Sequence, residues 1–417
     1  MIKDRTLQAL MAREVRRQQS TIDLIASENY VSPDVLAVLG SPLTNKYSEG
    51  YPNRRYYPGN ELYDEIELLA IERACRAFGL DVDDWHVNVQ PYSGSPANVE
   101  VYLALVPPGE TIMGMALASG GHLTHGHPVS ASGKFWHAVQ YSVAPSGFID
   151  YDAIEQLARE TKPKLIVCGF TAYPRHIDFA RFRAIADTVG AYLMADISHI
   201  AGLVAGGVHP SPFPYADVVM TTTHKTMRGP RGAVIFANRQ SGVAKKAGVD
   251  IAAAIDKAVF PGMQGGPHNN VTAAKAVAFW EALSPGFRKY AAQIVKNAKA
   301  LAAEFVAKKF ILSTGGTDTH LLLLDVRPFG LDGRAAEERL EAAGITANRN
   351  SLPGDEKPLR PSGVRIGTPS VTTRGMKERE MKLVASYFER LFVAHEDPKR
   401  VLRDVNALCK KFPLPYR

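Results

Sequence analysis

The chain has 417 residues, 46% of them hydrophobic and 22% charged, and carries a formal net charge of +7. This length allows two or three domains with substantial cores, and the ordinary composition without low-complexity tracts excludes a disordered chain. The modest positive charge is not gathered in one basic run, so nucleic-acid binding is not indicated and an anionic small-molecule ligand is compatible.

In chain order, residues 1–20 are basic and amphipathic. Asp4 and Glu14, and the lack of an apolar signal core, argue for a docking helix over a transit peptide. Residues 1–55 read as an N-terminal arm, a helix followed by an irregular segment rich in Ser, Asn, Tyr, Pro and Gly. A helix is expected over 61–78, with Leu62, Ile66, Leu69 and Ala70 on one face and Gly79 as its stop. From residue 85 to 238, apolar runs at 111–115, 165–168, 192–195, 218–220 and 233–237 alternate with helical patterns such as 152–160 and 179–189. That alternation marks an α/β domain with a mainly parallel sheet. Helical patterns over 271–283 and 287–308 are separated by Ser284-Pro285-Gly286, where a domain boundary is expected. The remainder, with strands near 320–326 and 363–367, helices near 333–343 and 376–395 and a C-terminal tail, suggests a small α/β domain. The expected division is 1–55 arm, 56–284 large domain and 285–417 small domain.

Cys75, Cys168 and Cys409 lie far apart and form no CxxC pair, which fits a reducing cytosol rather than a disulfide scaffold or zinc module. No apolar stretch approaches the roughly 20 residues needed to span a bilayer. A cytoplasmic protein is expected.

The most informative stretch is Thr221-Thr222-Thr223-His224-Lys225-Thr226, which follows an apolar strand and precedes the tight loop Arg228-Gly229-Pro230-Arg231-Gly232. Desolvation and neighbouring cations lower the pKa of a lysine, and a neutral amine attacks carbonyls. Such a lysine can hold an aldehyde cofactor as a Schiff base. The plainer alternative is a lysine in a solvated loop. Upstream, the apolar run 190–195 ends in Asp196, followed by Ile197-Ser198-His199. A strand delivering a carboxylate to the ligand edge of a sheet could keep a pyridine nitrogen protonated, whereas alone it could be a capping aspartate. Together, Asp196 and Lys225 are what a pyridoxal phosphate site needs. In Tyr92-Ser93-Gly94-Ser95-Pro96, Ser95 fits an N-cap and Pro96 the first helical position, opening a helix whose amides could take a phosphate. His122, His125 and His127 invite a metal reading, but no carboxylate or cysteine ligand accompanies them, and no metal is expected.

Taken together, LIASENYVSP (24–33), LTNKYSEGYPNRRYYPGN (43–60), YSGSPAN (92–98), SGGHLTHGHP (119–128), ADISHIAGLVAGG (195–207), TTTHKTMRGPRG (221–232), FPGMQGGP (260–267), TDTHLLLLDV (317–326) and SGVRIGTPSVTTRG (362–375) resemble the serine hydroxymethyltransferase family over nearly the whole chain. The resemblance implies the fold type I architecture of pyridoxal phosphate (PLP) transferases: an α/β large domain on a mainly parallel seven-stranded-type sheet, a smaller C-terminal α/β domain and an N-terminal arm. It implies reversible interconversion of serine and glycine, with the hydroxymethyl carbon passed to tetrahydrofolate.

By the same resemblance, Lys225 carries PLP covalently, Asp196 pairs with the pyridinium nitrogen, His199 lies near the phenolic oxygen and His122 stacks on the ring. Ser93, Gly94, Ser95 and His224 hold the phosphate, Thr171 joins the cofactor residues, and Thr222 poises Lys225. Gly265 and Gly266 reach the phosphate from a partner subunit, as does Tyr47, while Glu49, the proton shuttle, and Tyr57 enter the substrate site from the partner's arm. Arg365 clamps the amino-acid carboxylate with support from Ser32, since a guanidinium fork matches a carboxylate. Leu117, Gly121, Leu123 and Asn348 map to the folate pocket. A homodimer with shared active sites and no membrane or nucleic-acid partner is expected, and the cluster Tyr47, Tyr51, Tyr56 and Tyr57 suits such an interface. A folate-independent aldolase for threonine-like β-hydroxy amino acids, an α-methylserine hydroxymethyltransferase and a noncatalytic binding protein remain as alternatives.

Overall fold

The computed structural model describes residues 2–355 and 360–416. Contacts divide the chain into two compact units, residues 31–292 and residues 1–30 together with 293–417.

The larger unit is built on a seven-stranded sheet. Its strands are β1 (Trp85–Asn88), β2 (Thr111–Met115), β3 (His137–Tyr141), β4 (Leu165–Cys168), β5 (Tyr192–Asp196), β6 (Val218–Thr222) and β7 (Ala233–Asn238), in the spatial order β1-β7-β6-β5-β4-β2-β3. Every pairing from β6 across to β3 is parallel, and β7 alone runs against its neighbours β6 and β1. The mainly parallel sheet expected from the alternating pattern is present. β4, β5 and β6 are buried along their whole length, as strands covered on both faces must be. Their sequences LIVC, YLMAD and VVMTT are correspondingly near-continuous apolar runs ending in polar residues. One face packs into a core of Ala97, Val101, Tyr102, Leu165, Met194, Met220 and Ile235.

The helix at the phosphate-type motif starts two residues earlier than expected. It spans Gly94–Leu105, with Ser93 as the extended N-cap, so Pro96 is its third residue. Proline is tolerated there because the first-turn amides have no intrahelical acceptor.

The smaller unit holds a four-stranded antiparallel sheet in the order Ile311–Leu312, Leu321–Asp325, Gly363–Gly367, Asn348–Asn350. Residues 1–30, expected as part of an arm with 31–55, cluster here because Ile22–Asp23 pairs in parallel with Ile345–Thr346. Residues 31–55 belong to the larger unit, where Arg55 makes buried ion pairs with Asp64 and Glu67 at 2.8 and 2.7 Å. The expected C-terminal tail is instead a helix, Pro398–Lys411, capped by Asp397 and burying Val401, Val405, Leu408 and Cys409. All three cysteines are free and buried, and among the described residues no helix is long and apolar enough to cross a membrane.

Candidate active site

The carboxyl ends of β5 and β6 meet at a cavity lined by Gly94, Asn98, His122, His125, Phe170, Thr171, Asp196, Ser198, His199, Thr222 and Lys225. Ligands of parallel α/β sheets sit at this edge because strand ends and helix N-termini converge there. Asp196 is the last residue of β5, and Thr222 the last of β6, with Asp196 opposite Met220 in the parallel register.

Asp196 is almost fully buried and heavily bonded. Oδ2 accepts from Asn98 Nδ2 and from His125 Nε2, each at 3.1 Å, and Oδ1 accepts from the Ser198 amide at 3.1 Å. Burial opposes its charge, but the hydrogen bonds from His125 and Ser198 outweigh it. The carboxyl is held well below the usual carboxylate range. The His122 amide donates to His125 Nδ1 at 3.2 Å, which leaves Nε2 as the ring nitrogen that donates to Asp196.

Lys225 stands three residues beyond β6. Its Nζ donates to Thr222 Oγ1 at 3.0 Å, and the Thr222 amide donates to Ser198 Oγ at 3.0 Å. A hydrogen-bonded run therefore links the lysine to the turn that follows Asp196. His224 is largely buried, and among the described residues its Nδ1 has no hydrogen-bond partner. Burial, then the cations Lys225 and Arg231, lower its pKa to about 3, so its ring is neutral. Ser93 makes no side-chain capping bond, which leaves its hydroxyl available beside the open amides of the first helical turn. At Gly94 a side chain would not fit, since a Cβ would lie 2.7 Å from Thr222 Cγ2. Ser95 is exposed in the same turn.

His122 Nδ1 receives the Thr124 amide at 3.2 Å and lies 2.7 Å from Thr124 Oγ1, which itself accepts from Asn98 Nδ2 at 2.8 Å. Burial is the main reason its pKa falls to about 4, so the ring is neutral. Thr171 Oγ1 donates to the Gly120 and Gly121 carbonyls at 3.0 and 3.1 Å, fixing the turn before His122. His199 is buried at the cavity wall.

The structure thus brings Gly94, His122, Thr171, Asp196, His199, Thr222 and Lys225 to one cavity. A second cluster gathers Tyr47, Glu49, Gly265 and Gly266: a Cβ on Gly265 would lie 3.4 Å from Glu49 Oε1, and one on Gly266 3.3 Å from the Tyr47 ring. Tyr57 packs edge-on against Tyr47 at 5.3 Å. None of these five lines the first cavity. Ser32 caps the helix Pro33–Leu39 through a 3.2 Å bond from the Val35 amide. In the smaller unit, Arg365 and Asn348 face each other across two strands, and Arg365 Nε donates to Asn348 Oδ1 at 3.0 Å. Burial lowers the Arg365 pKa to about 10, which still leaves it charged. Leu117 and Leu123 are exposed, 41% and 43%, while Gly121 is buried. Sequence reasoning missed Asn98, Thr124, Phe170 and Ser198 and assigned His125 no role.

Among the described residues, no group of three or more His, Cys, Asp or Glu is arranged to hold a metal ion. A family model described as serine hydroxymethyltransferase matches residues 1–388. The chain is 54% identical over 417 residues to the serine hydroxymethyltransferase of Desulfotalea psychrophila, covering 99% of this chain and 95% of that protein. It is 55% identical over 417 residues to that of Sorangium cellulosum, again 99% and 95%, and 53% identical over 423 residues to that of Acidothermus cellulolyticus, 99% and 96%. A model match over most of the chain and full-length relatives above half identity leave one assignment: the chain belongs to the serine hydroxymethyltransferase family.

Proposed function

We propose that this chain is a PLP-dependent enzyme that interconverts serine and glycine, passing the hydroxymethyl carbon to tetrahydrofolate, with the cofactor held covalently on Lys225. The observation that carries the reading is the sharing of one cavity by an ionised carboxylate, Asp196, and a lysine amine, Lys225. The residues fit the cofactor: among the described residues the buried Nδ1 of His224 has no partner, the Ser93 hydroxyl is not used in capping, and Gly94 carries no side chain.

Bound there, PLP supplies an aldehyde for the substrate amine and an electron-withdrawing ring that stabilises negative charge at the amino-acid Cα. Asp196, kept anionic by His125, Asn98 and Ser198, would hold a proton on the ring nitrogen. The neutral imidazole of His122, which lines the same cavity, would lie beside the cofactor ring without competing for that charge. Thr222 accepts from the Lys225 amine and orients it, and Ser93, Gly94, Ser95 and His224 would take the phosphate. Arg365 takes the substrate carboxylate, supported by Ser32. Glu49 moves a proton as the Cα–Cβ bond of serine breaks, and with Tyr57, Tyr47, Gly265 and Gly266 it acts in the site of a partner subunit. That none of these five lines the Lys225 cavity is consistent with that arrangement. Leu117, Gly121, Leu123 and Asn348 meet the folate. Family membership argues against a noncatalytic role.

The test is glycine formation by the purified protein from serine, with PLP, and with and without tetrahydrofolate. Glycine that appears only with folate supports the reading. Cleavage of threonine-like substrates with no folate-dependent turnover of serine would overturn it in favour of an aldolase.

A further inference from the structure

Helix lysines are solvated by default, but Lys275, on the helix Asn269–Ala282, is 1% exposed. Its Nζ donates to Val89 O at 2.6 Å, Pro91 O at 3.0 Å and Ala233 O at 2.9 Å. Burial lowers its pKa to about 7, opposed by the charge of Glu100. The three acceptors nonetheless match the three donors of an ammonium, where a neutral amine would leave a carbonyl unpaired.

The three carbonyls lie at informative places. Val89 and Pro91 are on the stretch that runs from β1 into Ser93-Gly94-Ser95. Ala233 opens β7, directly after the loop that follows Lys225. The Ala233 amide in turn donates to Pro91 O at 3.2 Å, and the Thr223 amide to Gly232 O at 3.0 Å. One buried cation therefore ties the entry to the phosphate-type turn to the return strand of the lysine loop. Glu100, whose carboxyl oxygens lack hydrogen-bond partners among the described residues and whose pKa burial raises to about 8, lies on the helix that begins at that turn. Gly232 backs onto the lysine stem, since a Cβ there would come within 2.4 Å of Lys275 Cε.

We infer that Lys275 is a positioning residue, an internal brace that sets the Ser93–Ser95 turn for a phosphate. This rests on the PLP reading above. A brace of purely structural value would lower stability alone, whereas one that sets the turn changes how well the protein distinguishes a phosphorylated from an unphosphorylated ligand.

The experiment titrates the full-length chain, stripped of cofactor, with pyridoxal 5'-phosphate and with pyridoxal, and takes the ratio of the two affinities. Wild type, Lys275→Met and Gly232→Ala are compared, and thermal unfolding is recorded for each. Met keeps the stem and removes the donors, while the new methyl of Gly232→Ala displaces the same ammonium from the other side. The expected result is a ratio reduced about tenfold or more in both variants, with pyridoxal affinity much less affected, as for loss of a positioned charge-assisted contact. If Lys275→Met does not fold, Gly232→Ala decides. Ratios unchanged from wild type, with only the unfolding temperature lowered, would overturn the inference. A wild type that shows no preference for the phosphate form would instead count against the PLP reading itself.

Discussion

His125 Nε2 lies 3.1 Å from Asp196 Oδ2, although the two residues are 71 positions apart in the chain. The His122 amide occupies Nδ1, so Nε2 is the ring nitrogen that donates to the carboxylate. His125→Leu leaves a buried carboxylate short of one donor, a cost of about 1–3 kcal/mol. Urea unfolding of the variant is expected to show that loss, together with weaker PLP binding.

Thr222 Oγ1 is the acceptor that holds Lys225 Nζ at 3.0 Å. Thr222→Val keeps the shape and removes the acceptor. Turnover of serine is expected to fall about tenfold, the worth of one hydrogen bond, with PLP still bound. Steady-state rates beside cofactor content of the same preparations check this.

His224 is held neutral in the fold, with its pKa lowered to about 3 by burial and neighbouring cations. In the unfolded chain a histidine titrates near 6.5. Between those values the unfolded state binds a proton that the folded state refuses, so stability falls as pH falls. The expected contribution between pH 7 and pH 5 is on the order of 2 kcal/mol, and His224→Gln removes it. Denaturant unfolding of cofactor-free protein at both pH values should show a shallower acid dependence in the variant.

Leu408, 5% exposed on the C-terminal helix, packs into the core of the smaller unit with Phe388, Leu391 and Val405. Leu408→Ala is expected to destabilise the protein by about 2–4 kcal/mol, read from the unfolding midpoint.

The C-terminal helix was open to sequence reasoning. Val401, Val405, Leu408 and Cys409 follow a helical repeat behind Asp397 and Pro398, yet the short stretch read as a tail. Asp196 and Lys225 were legible because each follows a short apolar run that has no other use for a charge. His125 and Asn98 were not, since what defines them is contact with Asp196 from 71 and 98 residues away, and local pattern does not carry such pairing. Lys275 was invisible for the opposite reason: a helical lysine is ordinarily a surface residue, and only packing reveals three carbonyls around it. The helix start at Gly94 was misjudged by two residues because both Ser93 and Ser95 satisfy the N-cap preference.

The claim that Lys225 carries the cofactor is tested most directly by reducing the PLP-loaded protein with borohydride, digesting it and locating the pyridoxyl phosphate adduct by mass spectrometry. A single adduct on the peptide containing Lys225 is the predicted result. An adduct on another lysine, or none after incubation with excess PLP, would contradict the account.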